Sequence, residues 1–176
     1  FLIGVRVLSG IIVPSQAGGA YALLADHLIR ALLKAVERDF ARLHGRVSGG
    51  QAAAGAMGKL GGREMTAASD LDLILVYDFA PDAVQSDGSR PLAPSQYYAR
   101  LTQRLISALS SPTAEGQLYQ VDMRLRPSGQ QGPVATQLSS FIEYQAHQAW
   151  TWEHMALTRA RVVAGAPELR AKVEQA

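Results

Sequence analysis

The segment G-K-L-G-G-R-E-M-T-A-A-S-D-L-D-L-I-L-V-Y-D, residues 58–78, decides the fold of this chain. It joins a glycine-rich turn and two aspartates to an aliphatic, β-branched run at residues 71–77, which predicts a strand. Because successive side chains of a strand point to opposite faces, Asp70 and Asp72 share one face, about 6–7 Å apart along the backbone. Their leucine neighbours point the other way. The segment therefore predicts a buried strand that begins with two acids on one face.

The acid pair indicates a metal site. Two carboxylates held this close repel each other unless a cation lies between them. Mg²⁺ prefers oxygen ligands and is commonly held by one or two carboxylates together with substrate phosphates. Asp70 and Asp72 thus predict a magnesium site at which a phosphate chain binds.

A second acidic segment, Y-Q-V-D-M-R-L-R-P, repeats this logic. Residues 118–125 alternate well enough to predict a strand, and Asp122, Arg124 and Arg126 would share one of its faces. If this strand neighbours the first, Asp122 faces the other two acids. Three acids can hold two metals about 3.5–4 Å apart, the spacing used in phosphoryl and nucleotidyl transfer. The arginines would then lie near phosphate oxygens, with which guanidinium groups pair well.

The glycine-rich turn completes the predicted phosphate site. Gly61 and Gly62 lack a Cβ, so backbone N–H groups can approach a phosphate closely. Ser69 can donate a hydrogen bond to the same group, and Lys59 adds a positive charge. The turn is not a Walker A loop, because no Ser or Thr follows Lys59, and the dinucleotide fingerprint G-x-G-x-x-G is absent.

Each of these signals also has a more ordinary interpretation. An isolated D-x-D pair is usually a solvated strand edge, and a glycine pair is usually a turn. An aspartate beside two arginines is usually a surface ion pair. The three signals together, in this order and on these faces, favour a metal-dependent phosphate site.

Composition bounds the remaining function classes. The chain has 176 residues, of which 48% are hydrophobic and 18% charged, as expected for one globular domain. A net charge of +2 offers no argument for nucleic acid or membrane. The absence of cysteine excludes disulfides, thiolate zinc sites and a cysteine nucleophile. The chain begins at Phe1, and we expect a piece of a longer protein whose apolar start is the end of a helix.

The hydrophobic pattern elsewhere predicts a small mixed α/β layer flanked by helices. Apolar positions at helical spacing predict a long helix from Tyr21 to Gly45, and Pro94 opens another. Tyr97 and Tyr98 are expected in the core or at its rim.

The last third of the chain is predicted to be helical. Ser140 and Glu143 form a candidate capping box before a short helix. Residues 150–163 and 167–176 predict two further helices, and at least one tryptophan of the W-T-W motif is expected in the core.

Three long motifs in this order resemble the glutamine synthetase adenylyltransferase family, within the nucleotidyltransferases of the DNA polymerase β type. They are G-K-L-G-G-R-E-M-T-A-A-S-D-L-D-L-I, Y-Q-V-D-M-R-L-R-P-S-G-Q-Q-G-P and A-W-T-W-E-H-M-A-L-T-R-A-R-V-V-A-G. The resemblance covers residues 16–165. It implies an α+β nucleotidyltransferase fold, a small mixed β-sheet flanked by helices, with helical additions at both ends.

The resemblance also implies how the chain is divided. We expect an N-terminal helical segment at residues 1–46, the nucleotidyltransferase catalytic core at 47–136, and C-terminal helices that pack on the core at 137–176. All three would belong to one structural domain.

The activity implied is transfer of AMP from ATP to a tyrosine of glutamine synthetase, in nitrogen metabolism. The family protein is bifunctional, and its other half removes the AMP with phosphate and releases ADP. The R-L-R-P-S-G and W-T-W-E-H motifs resemble the adenylylating, C-terminal half more closely. The implied partners are glutamine synthetase, ATP and a PII-type signalling protein that binds other domains, with neither nucleic acid nor membrane. The implied location is the cytoplasm.

Carried over to this sequence, the resemblance assigns Asp70, Asp72 and Asp122 to catalysis and to two Mg²⁺ ions. Gly61, Gly62 and Ser69 would hold the triphosphate.

Three cations complete the nucleotide-binding set: Lys59, Arg124 and Arg126. Arg159 and Arg161, two apart on the helix predicted at residues 150–163, are weaker candidates, because an ion-paired helix face explains them equally well.

One feature departs from the family pattern. The segment Q-A-A-A-G-A-M stands where a β-branched strand is expected. Because alanine and glycine form strands poorly, we expect this strand to be short or frayed.

Overall fold

A computed structural model describes residues 1–114 and 116–176. Its helices are α1 (Leu2–Leu8), α2 (Pro14–His44), α3 (Gly58–Gly61), α4 (Pro94–Leu109), α5 (Leu138–His147), α6 (Thr151–Leu157) and α7 (Pro167–Gln175). Its strands are β1 (Gln51–Ala56), β2 (Leu71–Asp78), β3 (Pro112–Thr113), β4 (Gly116–Gln117), β5 (Val121–Asp122), β6 (Thr136–Gln137) and β7 (Arg161–Gly165). Helices around a mixed sheet confirm the predicted α+β class.

The sheet is built around β1. This strand pairs antiparallel with β2 on one side and with β7 on the other. The far edge of β2 pairs in parallel with two short strands, β5 at its beginning and β6 at its end. The beginning of β2, where the two aspartates lie, is therefore covered by β5.

The alanine-rich segment is a full central strand, so the prediction of a short or frayed one is wrong. Ala52, Ala53 and Ala54 are each no more than 2% exposed. At Gly55, an added Cβ would lie 2.8 Å from Cγ1 of Ile74. Burial and pairing on both edges override the low intrinsic strand propensity, since strand preference depends mainly on the packing around the residue.

Helices cover both faces of the sheet. Leu71, Leu73 and Leu75 point into a core formed with α2 and α4, as alternation predicts. Ile74 and Val76 point to the opposite face, where they meet side chains of α5 and α7. Burial on both faces explains why β2 is apolar from Leu73 to Tyr77.

Two tyrosines of α4 lie in the first core, as predicted. Tyr97 is 6% exposed and Tyr98 is 3% exposed. The ring of Tyr98 stacks on that of Tyr77, with 4.3 Å between the ring centroids, and so joins α4 to β2.

The long second helix starts earlier than predicted. It begins at Pro14 and continues through the Gly18–Gly19 pair to His44, with Gly45 as its C-cap at a φ of 68°. Packing explains the first of these glycines, because a Cβ at Gly18 would lie 3.2 Å from the carbonyl oxygen of Arg63 and 3.3 Å from the Cα of Glu64. Ala17 and Gly18, in these extra turns, are buried.

The helix predicted at residues 150–163 is wrong in its second half. Helix α6 ends at Leu157, and the R-V-V-A-G segment forms β7. Its β-branched residues complete the open edge of β1, which a helix could not do. Both tryptophans are exposed, Trp150 by 71% and Trp152 by 57%, so neither lies in the core.

The strand predicted at residues 118–125 is also much shorter. Pairing stops at Asp122, because Oδ1 of this residue accepts a hydrogen bond from the backbone N–H of Arg124 and turns the chain. Just before it, β3 and β4 form a small antiparallel pair. Glu115, which stands between β3 and β4 in the sequence, lies outside the described residues.

The prediction that Ser140 and Glu143 form a capping box is wrong. The carboxylate that caps a helix in this region belongs to Glu153. Helix α5 already begins at Leu138. The carboxylate of Glu153, 9% exposed, accepts hydrogen bonds from the backbone N–H of Trp150 at 2.8 Å and from the hydroxyl of Tyr144 at 2.9 Å. These bonds join α5 to α6.

We expect Tyr144→Phe to lower the free energy of unfolding by about 1–2 kcal/mol, because it removes a hydrogen bond to a largely buried carboxylate. Urea denaturation measures this. Tyr119→Phe is the matched control, since that hydroxyl has no hydrogen-bond partner among the described residues. An equal loss in the two variants would contradict the assignment.

Candidate active site

The three predicted acids meet at the beginning of β2. Asp72 stands opposite Asp122 in the parallel pairing of β2 with β5. One carboxylate oxygen from each of Asp70, Asp72 and Asp122 lies within 4.8 Å of the others. Asp70 is exposed and the other two are partly buried. The pairing of the two acidic segments, on which the predicted cluster depends, is therefore confirmed.

The electrostatics of this cluster favour a bound cation. Burial raises the pKa of Asp72 above its ordinary value, and the negative charges of Asp70 and Asp122 raise this pKa further. The positive charges of Arg124 and Lys59 act in the opposite direction on it. A carboxylate whose charge is disfavoured in this way gains from a metal ion that neutralises its neighbours.

Arg124 lies directly beside the acids. Its Nε donates to Oδ2 of Asp122 at 2.7 Å, and its Nη2 lies 2.5 Å from the same oxygen. These bonds lower the pKa of Asp122. The side chain of Arg124 remains 69% exposed, which leaves its guanidinium accessible to a phosphate.

Arg126 is placed differently from the prediction. Its guanidinium donates to the carbonyl oxygens of Met123, at 2.7 Å, and of Gln130, at 3.2 Å. It therefore closes the loop after β5, and its charge also helps to lower the pKa of Asp122. Strand alternation misplaced this side chain because β5 ends at Asp122.

The glycine turn is the short helix α3 between β1 and β2. The N–H of Gly61 donates to the carbonyl of Met57 at 2.7 Å, and that of Gly62 to the carbonyl of Gly58 at 3.0 Å. These two N–H groups, which the sequence suggests as phosphate donors, therefore hold the turn itself.

The missing side chains of this glycine pair make room for Arg159. A Cβ at Gly61 would lie 2.2 Å from the carbonyl oxygen of Arg159. A Cβ at Gly62 would lie 2.5 Å from a guanidinium nitrogen of the same residue. The turn and the chain before β7 can pack this closely because both positions are glycine.

Gly58 is a site residue that the sequence analysis missed. Its φ is +52°, a conformation that favours glycine, and a Cβ there would lie 2.2 Å from Oδ2 of Asp72. A glycine at the junction of a strand and a turn was the available signal. The next residue, Lys59, is exposed and near enough for its charge to lower the pKa of Asp72.

Ser69 lies immediately before the acids and stabilises the loop there. Its Oγ accepts a hydrogen bond from the N–H of Thr66 at 2.9 Å and shares another with the Thr66 hydroxyl at 3.1 Å. Ser69 is partly buried and directly precedes Asp70 in the sequence.

Neither of the two candidate arginines near β7 lies on a helix. Arg159 pairs with Glu64. Arg161 pairs with Asp26 of α2, at 2.6 Å between Nη1 and Oδ2. Asp26 is 6% exposed, and the sequence analysis missed it. An acid within the apolar face of a long helix was the available signal.

The donor set of the acid cluster fits Mg²⁺. Three carboxylates offer hard oxygen ligands, and the cluster lacks the nitrogen and sulfur ligands that favour zinc. The partly open position beside Asp70 leaves room for phosphate oxygens to complete the coordination. The α+β sheet, the D-x-D motif at the start of β2 and the third acid on a neighbouring strand together define a nucleotidyltransferase-type domain.

Comparison with known proteins identifies the family. The model of the family described as glutamate-ammonia ligase adenylyltransferase matches residues 1–176, and the chain belongs to this family. It is 60% identical over 174 residues to a protein of Mesorhizobium japonicum and 62% identical over 173 residues to one of Xanthobacter autotrophicus. Both are named bifunctional glutamine synthetase adenylyltransferase/adenylyl-removing enzyme.

These matches cover 99% and 98% of this chain but 18% of the length of each relative. The chain thus corresponds to a part of these larger proteins. None of the helices that the described residues form combines the length and the apolar character needed to cross a bilayer.

Proposed function

We propose that this chain is a Mg²⁺-dependent adenylyltransferase domain that moves AMP from ATP to a tyrosine hydroxyl of glutamine synthetase and releases pyrophosphate. The observation that carries the proposal is the cluster of three carboxylates within 4.8 Å at the start of β2, beside the glycine turn. The names of the relatives supply the protein substrate.

In this proposal Asp70, Asp72 and Asp122 hold the metal ions. Bound Mg²⁺ would supply positive charge that neutralises the phosphates of ATP. Asp122 would also keep a negative charge near the attacking tyrosine hydroxyl, whose proton would pass to solvent water as the new oxygen–phosphorus bond forms. The result is an in-line displacement at the α-phosphorus, with pyrophosphate as the leaving group.

The cations and the turn would bind the triphosphate. Arg124 and Lys59 lie beside the acids and would neutralise phosphate oxygens, and Arg126 would contribute through its charge. Gly61 and Gly62 shape the turn that carries Lys59, and Ser69 holds the loop that carries the acids.

The relatives' names also support a second function, removal of AMP. The same site would let inorganic phosphate attack the AMP–tyrosine bond and release ADP. The R-L-R-P-S-G and W-T-W-E-H motifs lead us to favour the adenylylating half. In either case we place the chain in the cytoplasm. We expect a PII-type protein to act through other domains. We also interpret the chain as an N-terminal helical segment up to residue 46, a catalytic core up to residue 136 and C-terminal helices after it.

Incubation with glutamine synthetase and ATP labelled at the α-phosphate distinguishes the two functions. We expect label on glutamine synthetase in the presence of Mg²⁺ and none in EDTA, because the acid cluster needs the metal to bind the triphosphate. Phosphate-dependent release of ADP from adenylylated glutamine synthetase would instead assign the chain to the removing half. Failure of both reactions, without binding of Mg·ATP, would indicate a regulatory or interaction module and would overturn the proposal.

A further inference from the structure

Arg161 and Asp26 join three elements around the glycine turn. Nη1 and Nη2 of Arg161, on β7, donate to the two carboxylate oxygens of Asp26, on α2, at 2.6 and 2.8 Å. The same guanidinium donates from Nη2 to the carbonyl of Leu60 at 2.9 Å and from Nε to the carbonyl of Gly61 at 3.1 Å. Each of its three nitrogens therefore has a defined acceptor.

The burial of this pair makes it a poor source of stability. The side chain of Asp26 is 9% exposed and that of Arg161 is 20% exposed. Removing two charges from water at such a depth offsets much of their attraction, so a buried ion pair is weak evidence for stability. The fixed planar geometry of the guanidinium is better suited to setting the position of its neighbours.

The guanidinium of Arg161 contacts α3, the glycine turn that lies beside the acids. Leu60 and Gly61 are the last two residues of α3, and the first, Gly58, is so close to Asp72 that a Cβ would lie 2.2 Å from the carboxylate. A displacement at one end of this four-residue helix therefore moves the other end relative to the acids.

We propose that the Asp26–Arg161 pair is a positioning device that fixes the glycine turn against the acid cluster, so that Mg²⁺ and the triphosphate are held in one geometry. This inference rests on the proposed function. Neither residue contacts the acids directly, and both act through α3. Partners of this indirect kind typically change metal affinity or activity by about 10- to 100-fold when removed.

The chain provides a matched control in Arg30. It also lies on α2, and its Nη2 donates to the carbonyl of Val163 on β7 at 3.1 Å. Arg30 thus links the same two elements as the proposed device without contacting the glycine turn. Any general effect of loosening α2 from β7 will appear in Arg30→Gln.

The test uses the double variant Asp26→Asn/Arg161→Gln, which leaves no unpaired buried charge, beside the single variant Arg161→Lys. We expect both to fold, as judged by circular dichroism and cooperative melting. Calorimetry should show a dissociation constant for Mg·ATP raised about tenfold or more in both. Lysine fails to replace arginine because it cannot donate to all four acceptors in one plane. The Arg30→Gln variant should bind Mg·ATP as the wild type does.

Hydrogen exchange in the metal-free chain gives a second readout that is independent of nucleotide. We expect faster exchange of the Gly61 and Gly62 N–H groups in the double variant than in Arg30→Gln. Equal exchange rates in these two variants, or full Mg·ATP affinity in Arg161→Lys, would overturn the positioning role. A wild-type chain that fails to bind Mg·ATP would count against the proposed function, whereas exchange would still decide whether the pair holds the turn.

Discussion

Replacing Asp72 with asparagine is expected to reduce Mg²⁺-dependent transfer of AMP by at least about a hundredfold, the scale at which a preorganised electrostatic group contributes to a transition state. The carboxylate is close enough to Asp70 and Asp122 for both of their charges to raise its pKa, and its loss removes one of the three oxygen ligands of the cluster. Asparagine retains the shape of the side chain but not its charge. The measurement is the rate of label transfer from ATP to glutamine synthetase at saturating Mg²⁺.

Asp78→Asn is the matched control for this experiment. Asp78 is the last residue of β2, at the opposite end from the acids, and pairs with the exposed Lys172. Its replacement should leave transfer unchanged. Undiminished activity of Asp72→Asn would contradict the metal-binding role of the cluster.

The metal-free Asp72→Asn chain should melt no lower than the wild type, because the change removes a partly buried charge that its two acidic neighbours repel. Such an outcome would separate loss of function from loss of fold. Sites that concentrate like charges for catalysis commonly lower stability.

Gly61→Ala is expected to produce the largest loss of stability, about 3 kcal/mol, since overpacking at a rigid position distorts the backbone. The new Cβ would lie 2.2 Å from the carbonyl oxygen of Arg159 and 2.8 Å from that of Ala56. Both are backbone atoms of neighbouring segments and cannot rotate away as a flexible side chain would. The corresponding fall in melting temperature, about 6–12 °C, is measurable by calorimetry.

Gly19→Ala provides the opposite result in the same assay. Gly19 lies inside α2, and no atom comes within 4 Å of an added Cβ. Alanine should therefore stabilise the chain by about 0.5–1 kcal/mol, because it favours the helical backbone. If both glycine variants changed the melting temperature equally, close packing at Gly61 would not be the cause.

Local chemistry made part of this protein predictable. The period-two alternation of residues 70–77 placed the acids on one face and the leucines in the core. Pro94 marked the start of α4, and Gly45 marked the end of α2. These features depend on backbone geometry within a few residues, which the sequence encodes directly.

Long-range contacts explain what the pattern missed. The alanine strand β1 forms because β2 and β7 pair with both of its edges, and the valines of β7 form a strand because β1 offers an open edge. The turn after Asp122 redirected Arg126 away from the face that alternation predicted.

By itself, the sequence determined the identity of the three acids, the order of the motifs and the family to which they belong. Tertiary structure decided which groups surround those acids. Gly58 packs against Asp72, and Arg124 donates hydrogen bonds to Asp122. Asp26 and Arg161 pair on the other side of the glycine turn. The physical reason is distance along the chain. Asp26 and Arg161 are separated by 135 positions, and no local propensity relates residues so far apart until the sheet and α2 pack together.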